Sequence, residues 1–475
     1  MTRTQMRTTA TGFVILAVII TAPAVPAIDF PAGRDAVGHA LNRLTYGLRP
    51  GDAERVQRMG LSAWIDQQLS PSRIDDSALA SRLPAMPVKP KTVGSQQEAR
   101  RYGREAVQVL AQQKVMRAVY SERQLEELLV DFWFNHFNVY AGKGRTSLFI
   151  PEYERDAIRP HVLGKFRDLL GATAKSPAML FYLDNWLSAD PDAAERLASQ
   201  QQQRRARAGL TPPPNAQQRK RGLNENYGRE LLELHTLGVD GGYTQDDVIN
   251  VAKAFTGWTI GRPQPVGRRA GVRRRPFAQA PPAMDMDLGD AQFRFTRELH
   301  DTSEKMVLGH RFKSGGGMDE GERVLDILAS HPSTATHIAT KLVRRFVSDD
   351  PPEALVARVA ARFRETDGDL REVVRAVITS PEFFAAREGK MKTPLEFVAS
   401  AVRATGRDLT DARPMLRALQ QLGMAPYQCQ PPTGYDDTAD TWITAGALVT
   451  RMNVAQQIAG AQRATEIGGP EFQKR

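Results

Sequence analysis

The sequence predicts a mostly α-helical protein: a multi-helix array with one small β-hairpin and two long, disordered insertions rich in arginine and proline. Apolar residues recur at helical spacing over most of the 475 residues. Only a short run at 292–296 alternates polar and apolar residues as a strand does. Two windows, at about 190–222 and 261–290, have no such pattern. Because a helical array of this length can share one continuous core, we predict a single domain over 28–475.

The first residues have the pattern of a secretory signal peptide. Arg3 and Arg7 form a basic start, and the segment 12–20 is apolar but too short to span a bilayer comfortably. Small residues before position 28 suit cleavage. The sequence therefore predicts a signal peptide over 1–27 and an exported protein, periplasmic or extracellular. An uncleaved anchor is the alternative, and no transmembrane helix is predicted in the mature chain.

Composition and charge exclude several kinds of functional site and argue against others. Cys429 is the only cysteine, which excludes an intrachain disulfide, a thiolate zinc site and a c-type haem attachment. The formal charge of +10 lies in Arg3, Arg7 and twelve residues of the two insertions: Arg204, Arg205, Arg207, Arg219, Lys220, Arg221, Arg262, Arg268, Arg269, Arg273, Arg274 and Arg275. Without these fourteen charges the rest of the chain carries a formal charge of −4. A nucleic-acid-binding groove is therefore not expected, and the insertions are either solvated or contact an anionic envelope polymer or lipid.

Helical periodicity extends through the amino-terminal half. Helices are expected at 37–69 with breaks at glycine and proline, at 96–120, after a capping box at 121–124, at 152–170 and at 176–186. His136, in the segment FWFNHF, lies on the apolar stripe of the helix that follows the capping box. It is expected to face the core or a pocket, either as a hydrogen-bonded core residue or as a site residue.

The segment 224–258, NENYGRELLELHTLGVDGGYTQDDVINVAKAFTGW, holds the densest polar chemistry in the chain. Its first residue is predicted to cap a helix over 225–237 that a glycine ends, and Thr244 is predicted to cap the next helix. Glu230 and Glu233 recur on one face of the first helix, beside its apolar stripe. The sequence therefore predicts a helical hairpin with carboxylates close to its packing surface.

The remainder of the chain is predicted to contain the hairpin and a run of helices. The segment 292–296 is expected to pair with 305–309, which places His300 and Asp301 at the tip of the hairpin. Helices are then predicted at 331–347, 352–366, 370–380, 394–405, 414–422 and 439–459.

Several of these segments together resemble a bacterial exported family known as domain of unknown function 1800, DUF1800. They are LNRLTYGLRPGD, LVDFWFNHFNV, the whole of 224–258, the segment around His300 and Asp301, HPSTATHIATKLVRRFV, KTPLEFVASAVRA and PPTGY with WITAGALVTRMN. One departure is Tyr435, where the family pattern usually has tryptophan. The resemblance implies export and a helical fold but no activity. It also implies a partner, because such proteins tend to be encoded beside a second exported family, DUF1501.

The first functional hypothesis is an enzyme or a metal-dependent site. His136, Glu230, His300 and Asp301 offer the nitrogen and oxygen ligands that zinc, iron or manganese accept. Glu233 and His235 are further candidates, but they point about 200° apart on a helix and cannot both face one ion. Without a metal, Glu230 or Glu233 would act as general base and His136 or His300 as the acid partner.

Two alternatives stay open at this point. In the first, Arg229, Glu230, Glu233 and Asn226 form a buried salt-bridge network that only joins helices. In the second, the protein is a non-catalytic periplasmic or cell-surface scaffold that acts with another exported protein. A serine hydrolase, a phosphate-cradling loop and a calcium loop are not predicted, because their motifs do not occur.

Overall fold

The computed structural model describes residues 34–90, 92–93, 95–207, 222–261, 286–287, 291–386 and 389–475, and it confirms the mostly α-helical class. The predicted signal peptide and most of the two Arg-rich insertions lie outside these residues. The first helices are α1 (Arg34–Leu44), α2 (Asp52–Met59), α3 (Leu61–Gln68), α4 (Ser77–Ala80), α5 (Gln96–Tyr120), α6 (Gln124–His136), α7 (Ile150–Glu152), α8 (Phe166–Lys175), α9 (Pro177–Tyr182), α10 (Pro191–Arg207), α11 (Glu225–Leu232) and α12 (Gln245–Ala254). The later helices are α13 (Met318–Ser330), α14 (Pro332–Phe346), α15 (Glu353–Glu365), α16 (Leu370–Ile378), α17 (Pro381–Ala385), α18 (Pro394–Thr405), α19 (Arg413–Gln421), α20 (Ala439–Trp442), α21 (Ala445–Ala459), α22 (Ala461–Gly468) and α23 (Pro470–Gln473).

Shorter helical turns connect several of these helices. Two are π-helical, Tyr153–Ile158 directly after α7 and Glu233–Leu237 directly after α11. The 3₁₀ turns among the described residues are Pro71–Arg73, Thr146–Leu148, Arg159–His161, Asn185–Leu187 and Arg297–Leu299. Single π turns inside helices are often found at functional sites, so the one after α11 is relevant to the site described below.

The described strands are short and form three antiparallel pairs. They are β1 (Thr92–Val93), β2 (Trp258–Gly261), β3 (Met286–Asp287), β4 (Gln292–Phe295), β5 (Lys305–Val307) and β6 (His310–Phe312). β1 pairs with β3, β2 with β4, and β5 with β6. The predicted pairing of 292–296 with 305–309 is therefore wrong. The strand at 292–295 pairs instead with residues that follow α12, and the tight turn at Leu308 and Gly309 lets β5 pair with β6.

The centre of the core is the apolar face of α6. Trp133 is fully buried and lies against the rings of Phe137 and Phe166, at centroid distances of 6.1 Å and 6.0 Å. Trp258, at the start of β2, is buried in the same continuous core and lies directly over Gly321 of α13. A Cβ atom at position 321 would be 2.5 Å from the Trp258 ring, so only glycine allows this approach. This apolar packing holds the central hairpin against both halves of the chain.

Most predicted helices are confirmed, but the helix predicted over 152–170 is interrupted at 162–165, and three further local predictions are wrong. The capping box at 121–124 does not form because the buried Gln124 side chain accepts a hydrogen bond from the Tyr46 amide at 2.9 Å. The helix predicted over 439–459 is broken, since Thr444 is extended and caps α21. The window near 190–222 is not irregular throughout: α10 occupies its first half, consistent with its many Ala, Glu, Gln and Arg residues.

None of the helices in the described part of the chain combines the length and the apolar character that a membrane span requires.

Buried ion pairs join the carboxyl-terminal helices. Glu396, in the first turn of α18, is 2% exposed and lies 2.8 Å from both Arg345 of α14 and Arg475. Its carboxylate also accepts a hydrogen bond from the Thr393 amide at 2.9 Å as part of a capping box. Burial would raise the pKa of Glu396, but the two arginines outweigh this effect and lower the pKa to about 2.

We expect Glu396→Gln to destabilise the protein by about 3 kcal/mol at pH 7, because the change leaves two buried guanidinium groups without their carboxylate. Chemical denaturation measures the difference. The matched control is Glu466→Gln, which removes an exposed pair with Arg463 and should cost less than about 1 kcal/mol. Equal losses in the two variants would contradict this account of the buried cluster.

Candidate functional site

The central helical hairpin forms as predicted. Asn224 caps α11, because its side-chain oxygen accepts a hydrogen bond from the Tyr227 amide at 3.1 Å. Thr244 caps α12 in a capping box: its side chain accepts a hydrogen bond from the Asp247 amide, and the Asp247 side chain accepts one from the Thr244 amide. The helix differs from the prediction at its end, where residues Glu233–Leu237 form a π turn before Gly238, which has a positive φ of 85°. This turn points the backbone carbonyls at the end of the helix toward α6 and α14.

Two histidines from other helices bind these carbonyl groups. The carbonyl oxygen of His235 lies 3.1 Å from His136 Nε2, and that of Leu234 lies 3.4 Å from His337 Nε2. The last carbonyls of a helix lack donors within the helix and require partners from elsewhere. Since a carbonyl oxygen can only accept, each histidine must carry its proton on Nε2. His136 therefore keeps an unprotonated Nδ1.

The Nδ1 atom of His136 is buried and has no hydrogen-bond partner among the described residues. The ring is 2% exposed and lies edge-on to Trp133, with the His337 ring 6.1 Å away. Burial, and then the positive charge of Lys341, lower the pKa of His136 well below its ordinary value. The same two causes lower the pKa of His235 to about 3 and that of His337 to about 4. All three imidazoles are therefore neutral near pH 7.

A cavity of about 170 Å³ lies beside His136. It is bordered by α6, α14, the start of α18 and the segment 431–438, with these lining residues: Asp131, Phe132, Asn135, His136, Lys341, Arg344, Arg345, Thr393, Met424, Thr433, Tyr435, Asp436, Asp437 and Thr438. Gly434 permits the close approach of the last segment to α6, because a Cβ atom there would be 2.3 Å from the Asn135 carbonyl oxygen. The walls are thus mostly polar, and they come from parts of the chain that are distant in sequence.

Lys341 lies one turn after His337 on α14 and contributes its side chain to the cavity wall. It forms no ion pair or hydrogen bond with any other described residue. Burial lowers the pKa of Lys341 to about 8, and the charge of Asp437 only partly opposes this effect. The amine therefore titrates close to neutral pH, as functional lysines do.

Two of the three carboxylates of the cavity wall are paired with cations, and the third, Asp436, accepts a hydrogen bond from the Thr441 hydroxyl at 3.2 Å. Asp131 pairs with Lys114 at 2.8 Å. Asp437 lies 3.4 Å from Arg345 and 3.5 Å from Lys390. Lys341 and Arg344 have no paired carboxylate among the described residues, although Arg344 donates to the Asp349 carbonyl at 3.4 Å. The wall thus contains equal numbers of acidic and basic side chains, and Lys341 and Arg344 are the cations that an anionic ligand could still pair with.

Glu230 and Glu233 lie elsewhere on the central hairpin. Both are half-buried, and Glu233 accepts a hydrogen bond from the Tyr243 hydroxyl at 3.0 Å. Burial, and then the charge of Glu233, raise the pKa of Glu230. Neither residue lines the cavity beside His136. Their assignment as general bases stays a prediction.

The alternative of a buried network among these carboxylates, Arg229 and Asn226 is wrong. Arg229 and Asn226 are exposed, and Arg229 donates to Gln245 at 2.6 Å. The buried face of α11 contains Tyr227, Gly228, Leu231 and Leu232 instead.

His300 and Asp301 belong to a separate buried cluster. His300 contacts the Thr256 carbonyl oxygen at 2.9 Å through Nδ1 and Glu320 at 3.1 Å through Nε2. The fully buried Lys305 lies 2.8 Å from Glu320 and 3.4 Å from Asp301. Both predicted residues are thus engaged by protein groups that join β5, α12 and α13.

The four predicted metal ligands do not converge. His136 lies in the cavity wall, Glu230 on the partly exposed side of α11, and His300 and Asp301 in the cluster around Lys305. Within the described ranges, no three His, Cys, Asp or Glu side chains are placed to bind one ion. A metal at these residues stays a prediction, and the observed placement does not support it.

Sequence reasoning did not find Lys341, His337 and Arg344. The only available signal was the spacing of His337 and Lys341 in HIATKLVRRF, which places both on one face of a helix. The same spacing is typical of the solvated side of an amphipathic helix. It therefore does not show whether these side chains lie in a cavity wall or in solvent.

Comparison with known proteins identifies a family but no individual relative. No curated protein and no solved structure matches the chain. A family model described as "Protein of unknown function (DUF1800)" matches residues 39–473, nearly the whole chain and the whole of the site. The resemblance found in the sequence is thereby confirmed, and the chain belongs to the DUF1800 family.

Proposed function

We propose that the cavity beside His136 binds a small anionic ligand and that Lys341 exchanges a proton with it. Arg344 would supply further positive charge, and the free Nδ1 of His136 would accept a hydrogen bond from the ligand. The observation that carries this proposal is that one cavity is lined both by Lys341, whose amine has no ion pair among the described residues, and by His136, whose Nδ1 has no hydrogen-bond partner among them. An enzyme that performs general acid–base chemistry is therefore the function that the geometry supports best.

The cavity sets the size and chemistry of the ligand. A volume of about 170 Å³ accommodates a molecule on the order of ten non-hydrogen atoms. An amine is most effective as a proton donor or acceptor when its pKa lies near the working pH, which supports Lys341 in this role. His136 suits a different role, because burial and the charge of Lys341 make it a weak base, whereas its orientation is fixed by the His235 carbonyl.

The test uses alkylation of Lys341 by bromoacetate, an anionic reagent that is small enough for the cavity and that reacts with the free amine with release of bromide. Mass spectrometry would follow the rate at each lysine between pH 6 and pH 10. We expect Lys341 to react at least about tenfold faster than the exposed Lys313 at pH 7, with a midpoint near pH 8, because an ordinary lysine has a pKa of about 10.4. Arg344→Gln should slow the reaction with this reagent but not with neutral acetic anhydride. A midpoint near pH 10, or no effect of Arg344→Gln, would contradict the proposal.

A second prediction concerns stability. Since burial lowers the pKa of Lys341 to about 8 in the fold, the unfolded chain binds more protons between about pH 10.4 and pH 8, so stability falls as the pH falls through this range and the loss is complete below about pH 8. We expect Lys341→Met to raise the free energy of unfolding at pH 7 by about 1 kcal/mol and to lose most of this effect at pH 9.5, where the wild-type amine is neutral in the fold. Urea denaturation at the two pH values measures the change.

Lys114→Met is the control for this prediction. Lys114 is paired with Asp131, and its removal should destabilise the protein at pH 7 by about 2 kcal/mol or more. If Lys341→Met also destabilises the protein at pH 7, Lys341 is a structural residue, and a scaffold without catalysis becomes the better interpretation.

We also propose that the protein is exported to the periplasm or the extracellular medium. We further propose that it acts with a second exported protein of the DUF1501 family. Export is supported by the basic, apolar and small-residue segments within 1–27. Partnership rests on the resemblance alone. Contact of the Arg-rich insertions with an anionic polymer or lipid is supported by their charge.

A further inference from the structure

A second cleft, separate from the cavity beside His136, lies between α5 and α19. It has a volume of about 500 Å³, and its lining residues are Arg104, Val107, Gln108, Ala111, Ala141, Gly142, Ser147, Arg413, Leu416, Arg417, Gln420, Ala425, Pro426 and Gln428. We call it the α5 groove. Its lining consists of small and apolar side chains, three arginines and three glutamines, and includes no carboxylate.

The arginines of the α5 groove are not neutralised to the same extent. Arg413 pairs with Asp411 at 3.0 Å. Arg104 and Arg417 are exposed and form no ion pair or hydrogen bond with any residue that the structure describes. The groove therefore presents two unpaired guanidinium groups, which bind carboxylates in a bidentate manner.

The groove continues along α5 toward the amino terminus of that helix. A neighbouring cleft of about 380 Å³ shares Ser147 with it and includes Arg100, one turn before Arg104. From Arg100 to Ala111 the helix rises by roughly 16 Å. An extended peptide covers this distance with about five residues.

We propose that the α5 groove binds an extended acidic peptide segment of a partner protein. Carboxylates of the segment would contact Arg104 and Arg417, and its small apolar side chains would pack on Val107, Ala111 and Leu416. The glutamine amides of the lining can donate to and accept from a peptide backbone. A nucleic acid is less well matched, because the lining of the α5 groove includes no aromatic ring on which a base could stack, and the rings of the neighbouring cleft, Phe181 and Trp186, stack on each other.

The test measures binding of a fluorescent ten-residue peptide of alternating glutamate and alanine to the full chain by anisotropy. We expect saturable binding that weakens with added salt, and a peptide with glutamine in place of glutamate should not bind. Arg104→Gln and Arg417→Gln should each weaken binding about tenfold, since each removes a charge-assisted hydrogen bond. The control is Arg101→Gln, an exposed arginine of the same helix that does not line the groove. It should leave binding unchanged, and thermal unfolding should show that all three variants are folded.

Three outcomes would overturn the proposal. The first is no saturable binding of the acidic peptide, and the second is an equal loss in Arg101→Gln. The third is stronger binding of a uronic-acid polymer or of single-stranded DNA, with the same dependence on Arg104 and Arg417, because this result would assign the groove to a different class of polymer.

Discussion

The hydrogen bond between His136 Nε2 and the carbonyl oxygen of His235 connects α6, at the centre of the core, to the end of the first helix of the central hairpin. The π turn at Glu233–Leu237 leaves backbone carbonyls that need donors, and an unsatisfied carbonyl in this buried place would be costly. The imidazole that satisfies one of them must carry a proton on Nε2, and because burial lowers the pKa of His136 the ring is neutral and has no proton on Nδ1. A requirement of the backbone therefore determines which nitrogen of His136 is left without a partner among the described residues.

The distribution of charge separates this cavity from the buried clusters around Glu396 and Glu320. Around Glu396 and around Glu320, cations and carboxylates lie in contact, and the pairs join helices and strands that are distant in sequence. In the cavity wall, the carboxylates of Asp131 and Asp437 are used in the same way, but Lys341 has no such partner among the described residues. Burial opposes the positive charge of the Lys341 amine and so lowers the stability of the fold. A purely structural role does not explain why a lysine lies at this position.

Much of the fold could be predicted from the sequence, because helical periodicity and caps are local signals. Asn224 and Thr244 cap the helices expected of them, and α5 has the predicted ends. Strand pairing is not local, since β4 pairs with β2, more than thirty residues earlier in the chain. The alternating pattern of a strand does not indicate which other strand it pairs with. The π turn was also not predictable, since its residues continue the helical pattern of α11.

The candidate site was predicted only in part, for a related reason. His136 was expected to face the core or a pocket, and it lines a cavity. Lys341 was missed because a lysine in an amphipathic helix is usually solvated, and its environment depends on α6 and on the segment 431–438. The carboxylates of the central hairpin were the most noticeable polar residues in the sequence, yet they lie outside this cavity.

The measurement that tests the central claim most directly is a long-range ¹H–¹⁵N NMR spectrum of the histidine side chains between pH 5 and pH 8, with His136→Gln used for assignment. We predict that His136 is a neutral imidazole with its proton on Nε2 over this whole range, and that its Nδ1 has the chemical shift of an unprotonated nitrogen. A proton on Nδ1, or a titration of His136 near its ordinary pKa of about 6.5, would contradict this account.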